Sequence, residues 1–383
     1  MTATGTRTQD RAAAGAPPRT VRAAGAVTVR LWSARVSFRF RPRLALVAGW
    51  TLLSCAVLVC VSLCVGAYAV PVPEVAEALF HGTGDRLAVH FVTRERLPQA
   101  LVAVLAGAAL GVSGAVFQSM ARNPLASPDV IGFNSGAATG AILVIVLVGG
   151  GAQPVALGAV GGGLLAAAVV LALARRGGVQ GGRLVLIGLG VTAVLGSVNS
   201  YLLTRSELNT AQNAHLWLIG SLHGRSWGEV ALLAVALAAL VPAMVPLGRH
   251  LRCLELGDDV AGGLGLNVVR VRLALTGLGV ALCAVAVACA GPVPFVALAA
   301  PQIAVRLARG PGVSLLAAGL TGATLLTAAH LVANQLFAVL AWVGERVAWL
   351  ALVDAGQRHV QLPVGVVTAL LGGAYLGWLL RRR

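Results

Sequence analysis

Few residues in this chain could do covalent chemistry, and they are not spaced for it. The six cysteines are Cys55, Cys60, Cys64, Cys253, Cys283 and Cys289. Five of them lie in apolar runs, where a thiol behaves as a small buried hydrophobe. Cys60 and Cys64 share a helix face, but no His or carboxylate joins them, and a zinc site takes about four ligands. His215 and His223 sit in a polar segment and read as solvated. There is no H-E-x-x-H, no G-x-S-x-G and no carboxylate pair inside an apolar run. All 29 basic residues are Arg. A P-loop places a Lys on the phosphates, so this chain is not expected to be an ordinary ATPase. The expectation is a protein that is not an enzyme, with no metal and no cofactor of its own.

The elements around these residues are membrane spans. The chain is 58% hydrophobic and 11% charged, with a mean hydropathy of +0.86, where soluble domains carry about 25% charged residues. Leu97 to Met120 holds no charge over 24 positions, enough to cross a ~30 Å hydrocarbon layer at ~1.5 Å per residue. It is dense in Gly107, Ala108, Ala109, Gly111, Ser113, Gly114 and Ala115. Small residues let helix backbones approach closely, which puts this span inside a bundle. Further spans are expected at 44–69, 132–148, 155–174, 184–203, 229–247, 273–290, 291–306, 313–337 and 363–380. The fold class is therefore all-α: a polytopic membrane protein of about ten transmembrane helices.

Residues 1–43 form an Arg-rich tail with Asp10 as its lone acid and no apolar run of signal-peptide type before Leu44. A disordered cytoplasmic extension is expected, or a segment from Val27 to Phe40 lying on anionic headgroups. Residues 44–383 are the permease-like domain. With ten spans, 22 of the 29 arginines share one side, and 13 against 7 remain on that side when the tail is removed. The positive-inside rule makes that side, and both termini, cytoplasmic. The net charge of +16 thus belongs to membrane orientation, and nucleic-acid binding is not expected.

Several separated motifs punctuate the spans. The first is Arg96-Leu97-Pro98, then Gly107 to Leu110, Ser113-Gly114, Gln118 and Arg122-Asn123-Pro124-Leu125-Ala126 with Pro128 and Gly132. Next come Trp217-Leu218-Ile219-Gly220-Ser221 and the loop Leu254-Glu255-Leu256-Gly257-Asp258-Asp259-Val260-Ala261 with Leu264-Gly265. Gly291-Pro292-Val293-Pro294-Phe295 runs to Pro301-Gln302, where the prolines demand a broken or kinked helix. Last is Leu362-Pro363-Val364-Gly365-Val366-Val367-Thr368. In this order they resemble the FecCD-type permeases, the membrane subunits of ABC importers for ferric siderophores, haem and cobalamin.

The resemblance implies a type II importer permease in the bacterial plasma membrane. It implies two cytoplasmic ABC ATPases that bind the ATP, a second permease subunit (the same chain or another), an extracytoplasmic substrate-binding protein and a metal-chelate substrate. It assigns ATPase coupling to Leu254, Glu255, Leu256, Gly257, Asp258, Asp259, Ala261, Leu264 and Gly265. The three acids there suit a basic groove on a partner. It assigns an inner gate to Gln180, Gly181 and Gly182. Pro98, Asn123, Pro124, Gly291, Pro292, Pro301, Pro363 and Gly365 are its structural markers. Binding-protein docking falls on Arg94 and Arg96, and on Arg346 and Arg358 in an apparent outer insertion at 341–360. Departures from the pattern include Gln99, Pro294, Ala297, Gln302, His330 and Asn334. Two readings of another kind stay open. A secondary transporter needs ionisable groups at mid-depth, and the spans offer only His330, Asn199 and Asn334. A non-transporting regulatory subunit would fit the lost charges.

Overall fold

The structure is a computed structural model and describes residues 20–23, 26–31, 36–40, 42–66, 68–129, 132–149, 151–175, 181–309, 312–346 and 361–381. Seven helical segments are long and apolar enough to cross a membrane. They lie in α1 (Pro42–Cys64), α4 (Leu97–Ala121), α6 (Ala152–Arg175), α7 (Gly181–Arg205), α9 (Trp227–Met244), α12 (Val268–Ala290) and α14 (Leu315–Arg346). Three shorter apolar helices complete the set: α5 (Phe133–Val148), α13 (Val296–Ala308) and α15 (Val364–Arg381). They stand one for one where the ten spans were expected. Between spans lie the short helices α2 (Val72–Phe80), α3 (Arg86–His90), α8 (Leu208–Ile219), α10 (Gly248–Glu255) and α11 (Asp258–Gly263). A π-helical turn, Phe91–Arg96, splices α3 onto α4.

The bundle is built around α4. Its apolar window is 78% buried, against 11% for α1 and 17% for α9. The cause is its glycine face. A Cβ on Gly107 would stand 2.9 Å from Ala323 Cα, and one on Gly111 would stand 3.0 Å from the Ala318 carbonyl carbon. Gly114 meets the Ala297 backbone of α13 in the same way. Backbones this close gain dispersion contacts that larger side chains would forbid, the main attraction available between helices in lipid. A second pair, α5 and α6, repeats the device with Gly136 and Gly140 against Gly158 and Gly162.

The expected break before α13 is present. Residues Gly291 to Pro294 are not helical, and Phe295 has φ +67. Within the Arg-rich tail, β1 (Thr20–Ala23), β2 (Ala26–Leu31) and β3 (Val36–Phe40) pair as an antiparallel sheet in the order β1-β2-β3, with Val27 opposite Phe40, and the rest of residues 1–41 lie outside the described residues. The reason is legible in the pattern. Val27, Val29 and Leu31 alternate with Thr28 and Arg30, a period of two that suits a strand. The first residues of the apparent insertion at 341–360 continue α14 to Arg346, and 347–360 lie outside the described residues.

Candidate functional site

The motif residues collect at the two ends of the bundle. At the arginine-rich end, α9 runs into a turn and then α10. Leu251 and Leu254 of α10 and Ala261 of α11 are buried, so one apolar face clamps this arm to the bundle. Gly257 makes the corner between the two helices with φ +119, a conformation that residues with a Cβ avoid.

Asp258 opens α11 and faces inward. Its Oδ1 accepts a 2.8 Å hydrogen bond from Arg272 Nη2 in α12 and lies 4.0 Å from Arg122 Nη2, just beyond α4. The Arg272 side chain is only 9% exposed. A charge-assisted bond to a largely desolvated guanidinium is stronger than one in water. A single carboxylate therefore ties the arm to the end of α4 and the start of α12 together. Glu255 lies against the backbone of Gly312, 3.2 Å from where a Cβ would stand there. Asp259 is exposed. The outward surface of the arm carries Leu256, Val260 and Leu264, all well exposed. Gly265, with φ +83, ends it. Asn267 then caps α12, its Oδ1 accepting from Arg270 N at 3.1 Å. The acidic face expected for a basic groove is thus divided, and the face left open is apolar.

The neighbouring α4–α5 connection is closed by its own polar groups. Arg122 ends α4 in the left-handed region at φ +49, Asn123 N donates to Gln118 O, and Asn123 Oδ1 accepts from Leu125 N. Pro124 forbids further helix. Ser127 and Pro128 are buried. Half-buried Asp129 accepts from Asn134 Nδ2 at 2.7 Å, yet burial outweighs that bond and pushes its carboxyl up to about 7. Of the expected inner gate, Gly181 and Gly182 open α7, and Gln180 lies outside the described residues.

At the opposite end three motifs far apart in sequence meet through glycines. Gly220 lies against the Pro292 carbonyl, Gly291 stands so that a Cβ would be 2.8 Å from Gly220 Cα, and Gly365 abuts the Ile219 carbonyl. Gly365 N also donates to Gly220 O at 3.2 Å, and Leu362 N to Ala333 O at 3.2 Å. Gly220 and Gly291 both have φ +75. Pro363 immediately precedes α15, and Pro301 sits inside α13. The departure at Gln302 is absorbed by an amide pair: its Nε2 donates to Gln118 Oε1 at 2.6 Å, and Gln118 Nε2 donates to Leu298 O at 2.9 Å. His330 and Asn334 likewise face each other at 3.2 Å.

The docking arginines are not equivalent. Arg96 turns back onto the end of α1, donating to Leu63 O at 2.7 Å and to Tyr68 O, with its guanidinium 5.8 Å from the Phe91 ring centre. It clamps the chain between α1 and α2, next to buried Pro98. Arg94 is exposed and, with Arg86 and His90, lines a surface pocket of about 250 Å³. Arg346 lies 3.7 Å from the Trp342 ring centre. Arg358 falls outside the described residues. Among the described residues no three His, Cys, Asp or Glu side chains gather as they would around a metal ion.

The model of the FecCD transport family matches residues 54–351. This chain belongs to the FecCD transport family. The ferric enterobactin transport system permease protein FepG of Escherichia coli (strain K12) is 43% identical over 311 residues, covering 81% of this chain and 88% of that protein. The achromobactin transport system permease protein CbrC of Dickeya dadantii (strain 3937) is 38% identical, covering 80% and 83%. Among solved structures, a metal-chelate type ABC transporter in an inward-facing conformation superposes with a TM-score of 0.74 at 25% identity, covering 88% of this chain and all of the other. The arm, the broken helix and the glycine junction described above all fall within the family's matched region or directly after it. The chain is a multi-pass membrane protein of the plasma membrane.

Proposed function

We propose that this chain is the membrane permease subunit of an ABC importer that carries an iron–siderophore complex inward, driven by ATP hydrolysis on partner subunits. The observation that carries this reading is the α10–α11 arm. It is anchored to two spans by Asp258 and leaves Leu256, Val260 and Leu264 open to solvent. Exposed apolar clusters of this kind mark protein contact surfaces, and a partner seated there could pull on α4 and α12 at once. The relatives named for ferric enterobactin and achromobactin transport support the substrate class.

In this reading the arginine-rich end, with both termini, is cytoplasmic. Two ATPases sit under the arms of two permease subunits, and a substrate-binding protein docks on the opposite face near Arg94 and Arg346. The Gln180–Gly182 segment closes the pathway on the cytoplasmic side. The chain itself makes and breaks no covalent bond, and the metal is cargo held by its chelator. The test is uptake of radiolabelled ferric siderophore into proteoliposomes holding the full complex. Accumulation that needs ATP and the binding protein supports the proposal. Uptake driven by a proton or sodium gradient without ATP would replace it with a secondary transporter.

A further inference from the structure

The largest cavity among those described lies away from the coupling arm's outer face and the glycine junction. It measures about 1090 Å³, at the upper end of the range usual for ligand sites. Its floor is α4 (Val104, Ala108, Val112) and α14 (Leu315 to Ala323), and its far wall is α9 from Leu237 to Val245. Eight residues of α9 or α14 make it roughly 12 Å deep at ~1.5 Å per residue. The start of α1 contributes Pro42 and Leu44. Nearly all of this lining is aliphatic, and α1 and α9 are, apart from α7, the spans that bury least against the rest of the chain.

Its mouth is different. Arg43 from the start of α1, Arg252 from α10 and Arg309 from the end of α13 rim it, all exposed, against Glu255 alone. Among the described residues none of these three arginines is in an ion pair. Three cations converging from three separate elements onto the open end of an aliphatic slot have one natural ligand in a membrane. An acyl chain fills the slot, and a phosphate accepts from the guanidinium forks, which match its geometry.

We propose that this cavity is a binding site for an anionic phospholipid of the arginine-rich leaflet, with its phosphate held by Arg43, Arg252 and Arg309 and one acyl chain between α9 and α14. Because Arg252 belongs to the same short helix as the buried Leu251 and Leu254 that clamp the coupling arm, lipid occupancy would steady the arm from its membrane side.

The test is native mass spectrometry of the full-length protein, delipidated in detergent and titrated with phosphatidylglycerol or phosphatidylcholine. The expected result is one phosphatidylglycerol retained per chain in preference to phosphatidylcholine. Arg43→Gln/Arg252→Gln/Arg309→Gln should weaken that retention on the order of a hundredfold, at about one membrane-proximal charge contact per arginine. Gly248→Trp is the second arm. Gly248 lines the cavity and a Cβ there meets no atom within 4 Å, so a side chain can leave the backbone at this position, and the indole adds bulk to the slot with every arginine intact. It too should abolish retention. Glycerol 3-phosphate should not compete, because the acyl chain supplies much of the hold. Equal retention of the two lipids, or phosphatidylglycerol retained by both variants, overturns the proposal. So does a triple variant that keeps its lipid but loses its ATPase partner, which would give the arginines to that partner.

Discussion

The two ends of this bundle are held together by opposite means. At the glycine junction, Gly220, Gly291 and Gly365 bring three backbones into direct contact, with hydrogen bonds between main-chain atoms. At the arginine-rich end, the arm is seated by the buried Leu251, Leu254 and Ala261 and tied to α4 and α12 by one carboxylate between two guanidinium groups. Close-packed backbone has a single arrangement, because any shift opens a gap or makes a clash. The carboxylate of the ion pair is 39% exposed and lies between two guanidinium groups, so it can shift between them with less disruption than packed backbone can. The glycine junction is built as a fixed pivot, and the arm has more freedom to shift.

The sharpest way to break this comparison is to put a side chain into the pivot. Gly365→Leu should prevent folding, since even a Cβ abuts the Ile219 carbonyl. The cost should exceed the ~1–3 kcal/mol of ordinary overpacking, and the expected readout is loss of the monodisperse peak on gel filtration. Next in size is the arm's open face. Leu256→Ser/Val260→Ser/Leu264→Ser should strip the ATPase from the purified complex while shifting the melting temperature little, because exposed substitutions usually stay within about 0.5 kcal/mol each. A lost fold here would mean these residues support the bundle rather than a partner.

A smaller effect belongs to Asp129. Its carboxyl is raised to about 7 by burial, so the folded protein holds this proton more tightly than the unfolded chain does. The stabilisation is present below the ordinary Asp value and is lost as pH rises through about 7. Thermal melts of wild type in detergent should fall between pH 5 and pH 8, and Asp129→Asn should flatten that difference. An unchanged slope would show that Asp129 is ionised throughout. Smallest is Arg94→Glu at the end opposite the arm. One exposed pair is worth ~0.2–1 kcal/mol, so binding-protein affinity should weaken by no more than several-fold at low salt and by nothing measurable at high salt.

Much of this architecture was legible before any coordinates. Ten apolar runs with few or no charges became ten helices, seven of them long enough to cross a membrane, because lipid forces every backbone polar group to be satisfied within the segment. The small residues of α4 announced a central helix, and the prolines after Ala290 announced the break before α13. The directions of individual charges were not legible. Asp258 read as one of three acids on an outward face, yet its partners stand 14 residues ahead in α12 and behind it at Arg122. Arg96 read as a docking cation, and its contact with the Leu63 carbonyl at the end of α1 was not legible. A guanidinium on a flexible stem reaches several angstroms in any direction, and sequence spacing does not say which. The glycine junction was visible as three motifs but not as one place, since contacts across about 70 to about 145 positions leave no periodic trace.

The claim that a charge-held arm transmits ATP hydrolysis to the spans is tested most directly by Asp258→Asn in the reconstituted complex, with ATP hydrolysis and ferric siderophore uptake measured on the same vesicles. The buried Arg272 loses one of its partners at a cost of about 1–3 kcal/mol, reduced by screening because the Asp258 side chain is 39% exposed. The complex should therefore assemble. The account predicts continued ATP hydrolysis with uptake falling to a small fraction of wild type. Uptake per ATP equal to that of wild type would contradict it.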